Sequence, residues 1–165
     1  MSWIPLLLCL VVLLPVQSSA LPHVAIEEAA PDVLLLLLLF VTLYVKKPDV
    51  YFAAWLIGLA RDAFSQTPLG FHAVAYVLVG VVVCRLRGEI FDDHAITRML
   101  LAAAASAAVG AAALAAMVTT YPQVSVSTAL RQLALSTVYT TAVCPVVLAV
   151  FDLARKLARW QAGRA

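Results

Sequence analysis

The sequence predicts an all-α integral membrane protein, built as a bundle of about six transmembrane helices. Hydrophobic residues make up 64% of the chain, charged residues only 12%, and the mean hydropathy is +1.01. A soluble domain is typically about 45–50% apolar and about 25% charged. The 165 residues also have room for several spans joined by short connections. We therefore expect a single polytopic membrane domain over residues 1–165.

Six apolar runs are the candidate spans, at residues 3–20, 33–45, 50–64, 69–86, 99–117 and 129–153. The second run is short, because its 13 residues would give about 20 Å of helix against a hydrocarbon core of roughly 30 Å. One long helix through the second and third runs would bury Lys46, Lys47 and Asp49 at mid-membrane. We therefore expect a helical hairpin, with Pro48 in its connection.

The first run has two interpretations. Ser18, Ser19 and Ala20 resemble a signal-peptidase site after an apolar stretch, but the segment before that stretch has no Lys or Arg. We favour retention of the run as a span, with cleavage as the alternative.

The basic residues predict an orientation with both termini in the cytoplasm. Cytoplasmic loops of membrane proteins are enriched in Lys and Arg. With six spans, only Arg61 and Arg131 lie on the outer side, and nine basic residues lie inside: Lys46, Lys47, Arg85, Arg87, Arg98, Arg155, Lys156, Arg159 and Arg164. The basic end at 155–159 can also contact anionic membrane lipid.

The last two runs carry small and hydroxylated residues that favour helix packing. In the fifth run Ala102, Ser106 and Gly110 recur at four-residue spacing, beside a second row of Ala103, Ala107, Ala111 and Ala115. Such rows let helices approach closely in lipid, so we expect this helix to be packed centrally. In the sixth run the hydroxyls at positions 136, 137, 140 and 141 precede Pro145, which predicts a kinked helix with a structural hydroxyl patch.

Asp62 and His72 are the most informative polar residues, because they lie among residues that otherwise favour lipid. An ionisable group in a span costs roughly 2.5–3.5 kcal/mol on insertion scales, so it usually has a partner or a purpose. The short connection between the two residues permits contact within one or two helical turns. Three interpretations stay open: an acid–base pair, a proton relay, or an interfacial cluster in which Asp62 caps the turn and Arg61 reaches the lipid headgroups.

The rest of the sequence gives little support to catalysis. Neither an embedded serine nor a cysteine has an evident base, and no His/Glu cluster has the spacing of a zinc site. The three cysteines Cys9, Cys84 and Cys144 are expected to be packing residues. We predict no enzymatic activity, cofactor, metal or nucleic-acid partner.

The segment 46–87 carries the motifs of a known family. Lys47-Pro48 precedes the third run, 52–59 reads FAAWLIGL and leads to Asp62, 69–73 reads LGFHA, and an aliphatic stretch ends in RLR at 85–87. This pattern resembles that of MreD, the rod shape-determining membrane protein family of bacteria. The family has an arginine where this chain has Lys47, and Arg61 stands beside the acid as a further departure.

This resemblance implies a non-enzymatic subunit of the cell-elongation machinery in the bacterial inner membrane. Its implied partners are MreC, MreB, and the glycosyltransferase and transpeptidase that build lateral peptidoglycan. It further implies a fold similar to the substrate-binding subunits of energy-coupling-factor transporters. That likeness keeps open the alternative of a subunit that binds a small, vitamin-type molecule. The candidate partner-interaction residues are Pro48, Gly58, Asp62, Leu69, Gly70 and His72.

Overall fold

The computed structural model describes residues 3–17, 31–45, 47–65, 69–86, 95–120 and 126–162. They form six helices: α1 (Trp3–Pro15), α2 (Val33–Tyr44), α3 (Lys47–Asp62), α4 (Phe71–Leu86), α5 (Ala95–Thr120) and α6 (Val126–Ala162). No strand occurs within these ranges. The predictions of an all-helical fold and of six helices are therefore confirmed. The candidate cleavage site at Ser18, Ser19 and Ala20 lies outside the described residues.

Helix α2 forms the centre of the bundle. It contacts each of the other five helices, and every leucine from 34 to 39 is at most 2% exposed. The helix is apolar on all sides, which suits a helix surrounded by others. Asp32 caps its first turn, because the Asp32 carboxylate accepts a hydrogen bond from the Leu35 amide at 3.1 Å.

Helices α2 and α3 form the expected hairpin. Only two residues separate Tyr44 from Lys47, and Val45 ends α2 with an extended backbone. Pro48 lies in the first turn of α3 and not between the helices. A proline is tolerated there because the first amides of a helix have no partner within it.

The tightest helix pairing is between α3 and α4. A Cβ atom added to Gly58 would lie 2.5 Å from both the Cα atom of Ala73 and the carbonyl oxygen of His72. The two backbones can therefore approach this closely only because position 58 has no side chain. Gly80, farther along α4, faces Ala54 with ordinary van der Waals space.

Helices α5 and α6 are the two described helices that are long and apolar enough to cross a membrane. Their candidate spans are Ile96–Val118 and Ser127–Ala154, of 23 and 28 residues. Shorter apolar helices occur at Leu6–Pro15, Val33–Tyr44 and Phe71–Leu86. That all six helices cross the membrane stays a prediction.

The expectation that α5 packs centrally is wrong. Ala102 and Ser106 are buried, but Ala111 and Ala115 of the neighbouring row are exposed, and only 22% of the most apolar α5 window is buried. The first row packs against the bundle, with Gly110 facing Leu133 of α6. The second row is half-buried at Ala103 and Ala107 and exposed at Ala111 and Ala115.

Helix α6 continues through Pro145 as one helix. The Thr141 hydroxyl donates a 2.7 Å hydrogen bond to the Thr137 carbonyl, one turn earlier. Such a bond satisfies the hydroxyl within its own helix, which agrees with a structural role for this hydroxyl. The kink itself stays a prediction.

Candidate functional site: the α3–α4 turn

The candidate site is built where α3 ends and α4 begins. Asp62 is the last residue of α3, and His72 is the second residue of α4. The close approach at Gly58, one turn before Asp62, brings the end of α3 against the first turn of α4. The sequence expectation that Asp62 and His72 lie within reach of each other agrees with this geometry.

The Asp62 carboxylate caps the N-terminus of α4. Its Oδ2 atom accepts hydrogen bonds from the amides of Gly70 at 2.9 Å and Ala73 at 3.1 Å, and its Oδ1 atom accepts from the His72 amide at 2.9 Å. The first amides of a helix lack partners within the helix, and the helix dipole favours a negative charge at this end. The Asp62 carboxylate, which belongs to the preceding helix, therefore accepts the hydrogen bonds that the side chain of an N-cap residue usually accepts.

The His72 ring completes the shell of Asp62. The Nδ1 atom lies 2.9 Å from Asp62 Oδ1, and the two side chains are 8% and 0% exposed. An ionised carboxylate can only accept hydrogen bonds, so the Nδ1 atom carries the proton in this contact. The Phe71 and Tyr76 rings lie nearly perpendicular to the His72 ring, with centroid distances of 5.3 and 6.1 Å. The ring is thus held between the carboxylate and two aromatic neighbours.

Gly70 gives the turn its backbone shape. Its φ angle is +93°, which side chains with a Cβ atom rarely adopt. A Cβ atom added there would meet nothing within 4 Å. The constraint on position 70 therefore comes from its backbone conformation and not from crowding.

Gly70→Val is expected to destabilise the turn. A left-handed backbone costs a residue with a Cβ atom about 1–2 kcal/mol, and β-branching increases the strain. The measurement is the thermal unfolding midpoint of the purified protein in detergent. Gly70→Asn is the matched control, since asparagine tolerates positive φ best among such residues. Equal midpoints for both variants would contradict a backbone constraint at this position.

A second polar cluster surrounds Asp32, at the same end of the bundle. Tyr76 donates its hydroxyl to Asp32 Oδ2 at 2.8 Å, and the Arg61 Nε atom lies 3.5 Å from the same oxygen. The Asp32 amide donates to the Thr140 hydroxyl at 3.0 Å. Gln17 accepts from the Val33 amide and donates to the Pro31 carbonyl, both at 3.1 Å. The Asp32 cluster therefore joins α2, α3, α4 and α6.

The two clusters are continuous. Arg61 and Asp62 are neighbours in sequence, and Tyr76 follows His72 by one helical turn and contacts its ring. One of the three interpretations has Arg61 reaching the lipid headgroups, but its guanidinium pairs with Asp32 and its side chain is 26% exposed. The α3–α4 turn is thus fixed both to α4 and to the central helix.

The sequence interpretation missed most of the Asp32 cluster. In that interpretation Asp32 has no role, and Thr140 belongs only to a hydroxyl patch. One signal in the sequence points to the cluster, because Asp32 directly precedes an apolar run as an N-cap residue does. A second signal comes from the structure: Tyr76 is fully buried, and a buried tyrosine hydroxyl needs a hydrogen-bond partner.

The remaining candidate residues lie apart from the carboxylate. Leu69, two residues before α4, is 81% exposed, and Phe64, two residues after α3, is 56% exposed. Pro48 is exposed at the opposite end of α3, fourteen residues and about 21 Å from Asp62. The structure therefore groups Gly58, Asp62, Gly70 and His72, presents Leu69 outward, and separates Pro48 from them.

This geometry favours the capping interpretation of Asp62 over the two proton-transfer interpretations. Both carboxylate oxygens are engaged by amides of α4, and the side chain is inaccessible. A general base needs direct or water-mediated reach to its substrate, which this enclosed carboxylate lacks. In the described ranges, no three His, Cys, Asp or Glu side chains are grouped to hold a metal ion.

Comparison with known proteins identifies the family. No curated protein and no solved structure matches the chain significantly. The likeness to energy-coupling-factor subunits is therefore not shown and stays a prediction. A family model described as rod shape-determining protein MreD matches residues 1–157, which is nearly the whole chain. The chain belongs to the MreD family of membrane proteins, and family membership implies a role in determining rod shape.

Proposed function

We propose that the protein is a non-enzymatic, multi-pass subunit of the cell-elongation machinery in the bacterial inner membrane. In this proposal it links MreC and MreB with the glycosyltransferase and transpeptidase of lateral peptidoglycan synthesis. The α3–α4 turn serves as a partner contact. Both termini lie in the cytoplasm, as the distribution of basic residues predicts.

The observation that carries the proposal is the contrast between the inside and the outside of the turn. Inside, the buried Asp62 carboxylate accepts hydrogen bonds from α4 and fixes the backbone. Outside, Leu69 is 81% exposed and Phe64 is 56% exposed. Exposed apolar side chains beside helix ends that are held together suit recognition, because little conformational freedom of those ends is lost when a partner binds.

The long helices support a scaffold that binds through helix faces. Few residues of the α5 and α6 spans are buried, and the exposed ones include the small residues Ala111 and Ala115. In lipid, small residues let a second helix approach closely. Partner helices can therefore pack against these faces without a soluble binding domain.

The alternative function, binding of a vitamin-type molecule, has less support. The cavity between α5 and α6 has a volume of about 160 Å³. Sites for drug-sized ligands are usually about 300–1,000 Å³. This cavity is therefore too small to enclose a vitamin.

Affinity purification from mild detergent, with a tag at the C-terminus, tests the proposal. We expect MreC or the peptidoglycan synthases among the proteins recovered, and rounded cells when the protein is depleted. Recovery of a pair of ATPases with a transporter membrane subunit would support the alternative. Unchanged cell shape together with failure to recover MreC would contradict the proposal.

A further inference from the structure

A groove between α5 and α6 lies at the end of the bundle opposite the α3–α4 turn. It has a volume of about 160 Å³. Its lining combines apolar side chains with an ion pair: Met99, Cys144, Pro145 and Leu148 on the apolar side, and Arg98 and Asp152 on the charged side. The proposed function makes no use of this groove.

The ion pair is loose and partly open. The Arg98 Nη1 atom lies 3.5 Å from Asp152 Oδ2, with the side chains 19% and 25% exposed. Tyr44 holds both partners in place. Its hydroxyl donates to Asp152 Oδ2 at 3.2 Å, and the guanidinium lies 5.8 Å from the centroid of its ring. A pair of this length that is still partly open to the surroundings can exchange its mutual contact for contacts with a ligand at a small cost in stability.

The pair lies at one end of both candidate spans, which is the level of lipid headgroups if α5 and α6 cross the membrane. Arg98 is in the first turn of the candidate span Ile96–Val118, and Asp152 is in the last turn of the candidate span Ser127–Ala154. Pro145 lies seven residues before Asp152, about 10 Å deeper along α6. The groove thus runs from the membrane interface toward the hydrocarbon core.

We propose that this groove binds a phospholipid whose headgroup carries both a phosphate and a primary ammonium. The planar guanidinium of Arg98 matches a phosphate, and the carboxylate of Asp152 accepts hydrogen bonds from an ammonium N–H. Part of one acyl chain then lies against Met99, Pro145 and Leu148. A headgroup with a quaternary ammonium fits less well, because it has no N–H to donate to Asp152. An anionic headgroup without an amine also fits less well, because the Asp152 carboxylate would then face a phosphate. This inference depends on the membrane location of the family and not on the partners proposed above.

Native mass spectrometry of the full-length protein tests the inference. The protein is released from micelles that contain equal amounts of phosphatidylethanolamine, phosphatidylcholine and phosphatidylglycerol with the same acyl chains. We expect about three- to fivefold more phosphatidylethanolamine adducts than adducts of either other lipid, the range that one partly exposed charge contact provides. Equal retention of the three lipids, or preference for phosphatidylglycerol, would overturn the inference.

Two variants test whether the preference arises in this groove. Asp152→Asn is expected to abolish discrimination between phosphatidylethanolamine and phosphatidylcholine. Ala149→Trp fills the groove without altering the ion pair, so we expect loss of the retained lipid. Ala142→Trp is the matched control, because Ala142 is also an exposed alanine, two turns earlier on α6. Circular dichroism verifies that each variant is helical. If Asp152→Asn does not fold, Ala149→Trp decides, and wild-type retention in that variant would contradict the assignment.

Discussion

Gly58→Ala is expected to destabilise the protein strongly, although it adds a single methyl group. The added Cβ atom would lie 2.5 Å from two backbone atoms of α4, and backbone atoms cannot rotate out of the way as a side chain does. Overpacking a core typically costs about 1–3 kcal/mol, and we expect the upper end because α3 and α4 must separate. Separation would also weaken the contacts between Asp62 and α4. The measurement is the unfolding midpoint in detergent, followed by size-exclusion chromatography.

Gly80→Ala is the matched control, since it makes the same chemical change in a helix interior of the same bundle. Its added Cβ atom would lie 3.5 Å from the Cβ atom of Ala54, an ordinary van der Waals contact. Replacing glycine by alanine inside a helix usually stabilises by about 0.5–1 kcal/mol. We therefore expect shifts of opposite sign for the two variants. Similar shifts would contradict the close approach at Gly58.

Asp62→Asn is expected to have the second largest effect. Each oxygen of the Asp62 carboxylate accepts two hydrogen bonds. Whichever oxygen the asparagine NH₂ group replaces, that group then faces two hydrogen-bond donors and cannot accept from either. A change of His72 tautomer can relieve one of them, but at least one amide at the start of α4 loses its acceptor. Each buried donor left unsatisfied costs roughly 1–3 kcal/mol. The measurements are the unfolding midpoint and the amount of protein that copurifies with MreC.

Arg61→Gln provides the comparison, because it removes a charge from the adjacent position. Arg61 pairs with Asp32 at 3.5 Å and is partly exposed. A glutamine at position 61 removes the charge but keeps N–H groups that can donate to Asp32, so the unfolding midpoint is expected to fall less than in Asp62→Asn. An equal or larger loss in Arg61→Gln would mean that the Asp32 cluster, and not the cap on α4, holds the turn.

The apolar runs predict most of the helices, but they do not predict how the helices are arranged in the bundle. Each run predicts a helix because unpaired backbone groups are costly in lipid. The central position of α2 was not predictable in the same way, since an apolar surface on all sides suits both lipid contact and burial. The expectation that α5 packs centrally is wrong for a related reason. Small residues permit close packing, but they do not specify which face is used.

The candidate site was predictable in part. The short connection between Asp62 and His72 predicted their proximity, and the family resemblance singled out Gly58 and Gly70 without giving their physical roles. The contacts of Asp32 with Tyr76 and Thr140 span 44 and 108 positions of sequence. Contacts between residues so far apart in sequence depend on how the helices pack together. Local sequence patterns do not encode this packing. Pro48 shares the family pattern but lies at the other end of the bundle.

The most direct test of the central claim changes one exposed side chain of the α3–α4 turn and leaves the hydrogen bonds of Asp62 intact. Leu69→Ser alters a side chain that is 81% exposed, and Ile96→Ser is the matched control with an apolar residue 72% exposed at the other end. Copurification with MreC is measured for both variants, together with the unfolding midpoint. We predict that Leu69→Ser keeps the wild-type midpoint but loses most of the copurifying MreC, whereas Ile96→Ser keeps both. Full recovery of MreC by a stable Leu69→Ser variant would contradict a partner contact at the α3–α4 turn.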